Sequence, residues 1–182
     1  EKFISEVHTD LIDETNLKFT DKFSNAVEVL FLCVGHGEAK VFLSKNKTEG
    51  EIKIIDLSQD FRLVGSKKSE IENFIYGLPE LNKERIKTAQ FVANPGCFAT
   101  CIQLGILPLA QNGLLKNEIH ISATTGSTGA GQSFSETSHF SRRQNNLSVY
   151  KAFEHQHLSE IKQSVAQLQS NFSSEINFIP YR

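Results

Sequence analysis

The stretch V-A-N-P-G-C-F-A-T-C-I-Q-L-G-I-L-P, residues 92–108, decides how the rest of the chain is organised. It opens at the end of an apolar strand, turns on Asn94-Pro95-Gly96, and continues in an apolar helical pattern. Pro fixes one backbone dihedral and Gly tolerates conformations that other residues avoid, so this tripeptide favours a sharp turn. The pattern therefore predicts a strand, a turn and a helix, with Cys97 where the turn becomes the helix.

Cys97 is a candidate nucleophile because of this position. The first turn of a helix presents unpaired N–H groups and a partial positive charge. A thiol held there ionises more easily, and the thiolate is the reactive form. A Cys in an apolar segment is often a packing residue, but the turn before Cys97 favours the reactive interpretation. Cys101 lies one helical turn further, outside the redox C-x-x-C spacing, and we interpret it as a packing residue.

Composition narrows the class of protein. The chain has 182 residues, of which 39% are hydrophobic and 22% charged, which is typical of a soluble globular protein of one or two domains. A net charge of -2 gives no indication of nucleic acid or an anionic membrane as partner, and no apolar run is long enough to span a bilayer. Three Cys without a framework spacing indicate free thiols and a cytoplasmic location.

Working outward from residues 92–108, hydrophobic patterns predict an α/β fold. Buried strands are expected at 27–34, 52–57 and 91–93, with a helix at 39–45 between the first two. Two strands flanking a helix form a βαβ unit, hence a parallel sheet. Further elements are expected as a strand at 119–124, a helix at 157–170 and a strand at 176–179, with a domain boundary near residue 94. We also expect a short strand at 17–19, a short helix beginning at 20–23, and an irregular charged connection over 63–90.

Four segments together resemble one enzyme family, the N-acyl-γ-glutamyl-phosphate reductases of arginine biosynthesis. N-P-G-C-F-A-T at 94–100 is similar to the family's active-site signature, and D-L-S-Q-D-F-R at 56–62 to its D-L-S-x-D-F-R. T-G-S-T-G-A-G at 125–131 and Y-K-A-F-E-H-Q-H at 150–157 are similar to two further family motifs. The departures are Cys101, Thr125 and Gln156, where the family usually has Gly or Ala, Ser and Arg.

The resemblance implies a fold and a cofactor. It implies NADP dependence, with residues 1–93 as the remainder of a Rossmann-type domain and 94–182 as part of a glyceraldehyde-3-phosphate-dehydrogenase-like α+β catalytic domain. The family's N-terminal Gly-rich dinucleotide loop and its C-terminal segment are missing, so we expect a chain truncated at both ends. The resemblance also implies a homo-oligomer, either a dimer or a tetramer.

The family reaction reduces an acyl phosphate to an aldehyde, and two residues carry the predicted catalysis. The Cys97 thiolate attacks the acyl carbon, phosphate leaves, and hydride reduces the resulting thioester. A base and an acid are also needed, and His155 is the preferred residue because His titrates near neutral pH. His157 remains the alternative for that role. The H-x-H pair could bind zinc, but no fourth ligand has suitable spacing, so no metal is expected.

The remaining predicted site residues surround this pair. Arg62 is expected to bind the substrate through its planar fork of donors, and His157 is also assigned to substrate binding. Ligands of parallel sheets lie beyond the carboxyl ends of the strands, and Gly permits close backbone approach. The predicted cofactor contacts are therefore His36, Gly37, Asn94, Ser127, Gly129, Ala130 and Gly131.

Three other functions stay open at this stage. Aspartate-semialdehyde dehydrogenase performs the same chemistry on a smaller acyl phosphate, although the segment at 150–157 argues against it. A Cys-His hydrolase would use Cys97 and His155 without a nicotinamide, and a non-catalytic homologue would leave Cys97 unreactive. The N-acyl group is either acetyl or succinyl.

Overall fold

The computed structural model describes residues 2–48, 50–65, 73–131 and 135–182. Its main sheet contains four parallel strands, in the order β1-β2-β4-β3. These are β1 (Val29–Leu32), β2 (Lys53–Asp56), β3 (Ile75–Tyr76) and β4 (Phe91–Ala93). A second sheet pairs β5 (Ile119–Thr124) with β6 (Ile176–Tyr181), again in parallel. The predicted α/β class with a parallel sheet is therefore confirmed.

The described residues form six α-helices, the second of which connects the parallel strands β1 and β2. They are α1 (Ile4–Val7), α2 (Glu38–Lys45), α3 (Pro79–Lys87), α4 (Cys97–Gln111), α5 (Phe140–Arg143) and α6 (His157–Leu168). Short 3-10 turns cover Thr9–Leu11, Ser127–Ala130 and Glu136–Ser138. Among the described residues, no helix is both long enough and apolar enough to cross a bilayer.

Two apolar cores hold the sheets to their helices. One packs β1 and β2 against α2, with Ile54 and Ala39 fully buried. The other packs the buried face of α4 against α6 and β6, where Ile161 and Phe178 are fully buried. Because α4 starts with Cys97 and belongs to this second core, Cys97 lies at the start of a well-packed helix.

Three local predictions need correction. Residues 17–19 contribute only an isolated antiparallel bridge, between Phe3 and Lys18, and no helix begins at 20–23. The connection over 63–90, where it is described, contains β3 and α3. Pro79 at the first position of α3 is the signal for that helix, since Pro fits where no N–H is needed. The two residues of β3 are too few to give a periodic pattern.

Candidate active site

The turn at Asn94-Pro95-Gly96 delivers Cys97 to the surface at the carboxyl edge of the main sheet. The backbone N–H of Asn94 donates to the carbonyl of Asp56 at 2.8 Å, which ties the turn to the end of β2. Gly96 is the N-cap of α4 and is buried, whereas Cys97 is exposed. The first backbone hydrogen bond of α4 runs from the Thr100 N–H to the Gly96 carbonyl. The N–H groups of residues 97–99 therefore have no partner within the helix and point toward its N-terminus, where anions bind.

A buried carboxylate, Glu160, supports this turn from behind. Its Oε2 accepts the Gly96 N–H at 3.0 Å and the Tyr76 hydroxyl at 2.9 Å. Its Oε1 accepts from Nη1 of Arg62 at 3.1 Å, and only 3% of the residue is exposed. A buried carboxylate is costly unless it is paired and hydrogen-bonded, and here it is both. The sequence analysis missed Glu160, although its position three residues after His157 places both side chains on one face of α6.

Arg62 does not reach outward as the substrate-binding prediction requires. Its Nε donates to the Asn94 carbonyl at 2.8 Å and its Nη2 to the Leu57 carbonyl at 2.9 Å, while Nη1 contacts Glu160. The residue is 6% exposed. Because Nε, Nη1 and Nη2 all bond within the protein, Arg62 supports the Asn94–Gly96 turn, and its contact with substrate stays a prediction.

His155 is held by a short strained segment before α6. Tyr150 and Phe153 donate backbone N–H groups to carbonyls of β6, and Lys151 and Phe153 have φ of 44° and 64°. This left-handed region costs a non-Gly residue about 1–2 kcal/mol. The His155 ring lies edge-on to Phe98, with centroids 5.6 Å apart, and 5.8 Å from the Tyr150 ring. The strained turn therefore brings an imidazole onto the first turn of α4.

The protonation of His155 differs from the expectation of the sequence analysis, which is a His that titrates near neutral pH. Burial, assisted by the charges of His157 and Lys151, lowers the pKa of His155 to about 4. Its Nδ1 accepts the His157 N–H at 3.2 Å, so the neutral ring carries its proton on Nε2. No hydrogen bond joins Cys97 to His155 within the described part of the chain. The geometry thus favours a neutral hydrogen-bond donor over an imidazolium paired with the thiolate.

His157 lies directly behind the turn. A Cβ on Gly96 would come within 2.2 Å of its Nε2, so only Gly fits beside this ring. Nε2 is 3.9 Å from Oε1 of Glu160, and the buried Nδ1 has no hydrogen-bond partner among the described residues. Burial, with contributions from Arg62 and His36, lowers the pKa of His157 to about 4. The ring packs against the turn, which fits a structural role better than the predicted substrate contact.

Tyr150 is a further site residue that the sequence analysis did not assign. Its ring lies 5.8 Å from that of His155, and burial raises the pKa of its phenol. The sequence signal for Tyr150 is the Y-K-A-F-E-H spacing at 150–155, because the same strained turn carries both Tyr150 and His155.

The predicted cofactor contacts divide into two groups. His36 and Gly37 follow β1 at the carboxyl edge, where Nδ1 of His36 accepts the Gln59 N–H at 3.2 Å. Asn94 also lies at this edge, but its side-chain Nδ2 donates to the Pro95 carbonyl at 3.2 Å. The second group follows β5, at the 3-10 turn and its C-cap residue: Ser127, Gly129, Ala130 and Gly131. No hydrogen bond in the described ranges connects this group to Cys97 or His155.

The carboxyl edge of the main sheet is wide enough for the nicotinamide end of a dinucleotide. Neighbouring strands lie about 4.8 Å apart, so the ends of β1 and β4 are separated by about 10 Å, a span that a nicotinamide with its ribose can cover. The start of α2 offers no phosphate cradle, because Asp60 accepts the N–H of Gly37 at 2.6 Å and of Lys40 at 3.3 Å. Asp60 therefore occupies these N–H groups at the start of α2, and the contacts of His36 and Gly37 with a nicotinamide stay a prediction.

Acid is expected to destabilise the folded protein through His155 and His157. Both have a pKa of about 4, below the value of about 6.5 for an unperturbed His. The unfolded chain therefore binds more protons, and the stability from the neutral rings is present above about pH 6.5 and lost as pH falls toward about 4. We expect the Tm of the full-length protein to fall over this range, and less so in the double variant His155→Asn, His157→Asn.

The exposed His120 is the control for this measurement, and His120→Asn should keep the wild-type dependence of Tm on pH. Equal dependence in the double variant and the wild type would show that the two buried rings do not contribute.

Two family models match consecutive parts of the chain. The semialdehyde dehydrogenase NAD binding domain matches residues 1–89, and the semialdehyde dehydrogenase dimerisation domain matches residues 97–182. Together they cover both sides of the turn that carries Cys97.

Curated relatives are more than half identical to this chain over the residues that align. It is 56% identical over 181 residues to the N-acetyl-gamma-glutamyl-phosphate reductase of Christiangramia forsetii, covering 100% of this chain and 55% of the relative. It is 56% identical over 180 residues to the Bacteroides thetaiotaomicron protein of the same name, covering 98% and 55%. The chain thus spans about half the length of these relatives.

Solved structures show the same fold at low identity. Aspartate semialdehyde dehydrogenase II from Vibrio cholerae superposes with a TM-score of 0.62 at 15% identity, over 89% of this chain and 53% of that one. The same enzyme complexed with ASA gives 0.64 at 14% identity, over 91% and 54%. The likeness is in fold alone.

Proposed function

The chain belongs to the N-acetyl-gamma-glutamyl-phosphate reductase family, and on that premise we propose that the whole protein reduces an N-acyl-glutamyl phosphate with NADPH. The products are the N-acyl-glutamate semialdehyde and phosphate, as a step of arginine biosynthesis. The observation that carries the proposal is Cys97, exposed at the N-terminus of α4, with the His155 ring packed against Phe98 of the same helical turn. That arrangement suits capture of an acyl group and stabilisation of its oxygen.

Cys97 performs the first bond change. Its thiolate attacks the acyl carbon, the bond to the phosphate oxygen breaks, and phosphate leaves with that electron pair, giving a thioester on Sγ. Splitting the reduction through a covalent intermediate replaces one difficult step by two easier ones. The thiol proton leaves to solvent, since Cys97 is exposed and the helix N-terminus favours the anion.

The oxygen of the acyl group becomes negatively charged in both steps. The N–H groups of residues 97–99 and the Nε2–H of His155 are the donors available to it on this side of α4. Donors fixed before the reaction stabilise developing charge without reorganisation, which is often the largest single contribution to catalysis. A neutral His155 performs this role without transferring a proton.

NADPH, when bound across the carboxyl edge, supplies the hydride that reduces the thioester carbonyl. His36 and Gly37 are the residues of this chain that would hold its nicotinamide end, and Ser127, Gly129, Ala130 and Gly131 remain proposed contacts. The electron pair on the oxygen of the resulting tetrahedral adduct then re-forms the carbonyl. Cys97 leaves as the thiolate and the aldehyde is released.

The comparisons support this function over its rivals. The curated relatives named as N-acetyl-gamma-glutamyl-phosphate reductases are 56% identical, whereas the aspartate semialdehyde dehydrogenase structures are 14–15% identical. A Cys-His hydrolase has no use for the NAD binding domain that matches residues 1–89. The match to a dimerisation domain supports a homo-oligomer, and we propose a dimer or a tetramer. Three free thiols support a cytoplasmic location.

Turnover of the full-length protein tests this proposal. We expect NADPH oxidation that depends on N-acetyl-glutamyl phosphate and releases one phosphate for each NADPH consumed, as the balanced reaction requires. N-succinyl-glutamyl phosphate and aspartyl phosphate serve as competing substrates. A preference for aspartyl phosphate would indicate the smaller-substrate enzyme. Repeated phosphate release without NADPH, beyond the single equivalent that accompanies thioester formation, would indicate a hydrolase.

A further inference from the structure

Tyr76 is a buried residue that the mechanism above does not use. It lies at the end of β3, where 7% of the residue is exposed. Its hydroxyl donates to Oε2 of Glu160 at 2.9 Å and accepts from Nε2 of Gln103 at 2.8 Å. The same Oε2 accepts the Gly96 N–H, so Tyr76 and the residue before Cys97 share one carboxylate oxygen.

These contacts form a hydrogen-bond network that begins and ends on residues of α4 and its N-cap. Gln103 belongs to α4 itself, is fully buried, and is anchored by a second bond from Nε2 to the Ala99 carbonyl at 2.9 Å. The network runs from Gln103 to Tyr76, on to Glu160, and back to Gly96 at the N-cap of the same helix. The orientation of the carboxylate relative to the Cys97 turn is therefore set from the body of α4.

The direction of each hydrogen bond is fixed by the number of protons. A Tyr hydroxyl has one proton, and Gln103 already donates to its oxygen, so that proton goes to Glu160. Burial and the charge of Glu160 raise the pKa of Tyr76, so the phenol stays neutral and remains a donor. The bond to an ionised acceptor is stronger than one between neutral groups.

We propose that Tyr76 is a positioning residue for Cys97. Its hydroxyl holds the Glu160 carboxylate on the Gly96 N–H, and the hydroxyl proton partly offsets the carboxylate's negative charge near the thiol. The proposal rests on the proposed function only in taking Cys97 as the nucleophile. Without the hydroxyl, Oε2 of Glu160 has one donor fewer, at the helix end that carries the Cys97 thiol. A neighbouring negative charge disfavours a second anion.

Several other groups face this carboxylate and remain in place when Tyr76 is changed. Arg62 contacts Oε1, and His157 lies 3.9 Å from it on the same helix. His155 interacts electrostatically with Glu160, and Tyr150 with Cys97. These groups are common to the wild type and the variant, so a change in Cys97 reactivity reports the loss of the Tyr76 hydroxyl.

The test is Tyr76→Phe in the full-length protein, with Tyr181→Phe as a matched control outside the Cys97 site. The rate of Cys97 alkylation by iodoacetamide is measured against pH. We expect the midpoint of that profile to move upward in Tyr76→Phe and to stay at the wild-type position in Tyr181→Phe. We also expect kcat to fall about tenfold with KM nearly unchanged, because a lost bond to a charged group is about this strong.

A second variant keeps the proposal testable if Tyr76→Phe does not fold. Gln103→Leu retains the hydroxyl but removes the donor that orients it, so a smaller upward shift of the same midpoint is expected. An alkylation profile at or below the wild-type midpoint in a folded variant would overturn the proposal. Alkylation needs neither acyl phosphate nor NADPH, so this result is independent of whether the proposed reaction is found.

Discussion

Replacing Cys97 by Ser is expected to abolish reduction by the full-length protein. A Ser hydroxyl has no accessible anion near neutral pH, and the His155 ring, whose Nδ1 already accepts a backbone N–H, offers no free lone pair to activate it. Loss of a covalent nucleophile removes more activity than loss of a single acid–base group, which is worth about 10²–10⁴-fold. The measurement is NADPH oxidation with the acyl phosphate.

Cys101→Ala is the matched control. The sequence analysis interprets Cys101 as a packing residue, but in the structure it is exposed on the same face of α4 as Cys97, one turn later. It should retain most of the wild-type activity, as should Cys33→Ala. Equal damage from Cys101→Ala and Cys97→Ser would mean that the nucleophile has been assigned to the wrong thiol.

Gly96→Ala is expected to have the second-largest effect. The added Cβ would lie 2.2 Å from Nε2 and 2.6 Å from Cδ2 of His157, distances at which one of the two must move. His157 is 6% exposed and cannot turn into solvent, so the strain moves the turn that carries Cys97. Overpacking of this kind costs about 1–3 kcal/mol of stability. A displacement of about 1 Å at the nucleophile costs about 10²-fold in turnover.

Gly105→Ala in the same helix is the control for this substitution, since a Cβ there meets no atom within 4 Å. It should leave turnover unchanged and raise the stability of α4 by roughly 0.5–1 kcal/mol, because Ala is the better helix former. Thermal unfolding and kcat are measured for both variants. Wild-type kcat in Gly96→Ala would show that the contact between Gly96 and His157 does not position Cys97.

Local patterns predicted the elements that carry the nucleophile. The helix starts at Cys97 and β5 covers Ile119–Thr124, as the sequence indicates, because turn chemistry and alternation are properties of neighbouring residues. The Asn94-Pro95-Gly96 turn was readable for the same reason.

The buried contacts of Glu160 that support the Cys97 turn could not be predicted from local sequence patterns. Glu160 contacts Arg62 and Tyr76, which are 98 and 84 residues away from it in the sequence, so no local sequence pattern contains these contacts. The two-residue strand β3 owes its position to pairing with β4. The protonation state of His155 depends on burial by Phe98 and Phe178, which only the folded chain brings together.

The most direct test of a Cys97 thioester is to trap it. The full-length protein is mixed with N-acetyl-glutamyl phosphate in the absence of NADPH, quenched in acid, digested and analysed by mass spectrometry. We predict one N-acetyl-glutamyl group on the peptide containing Cys97, removed when NADPH is added before the quench and absent from Cys97→Ser. An enzyme that turns over but shows no adduct under these conditions, or carries it on Cys101 or Cys33, would contradict the account.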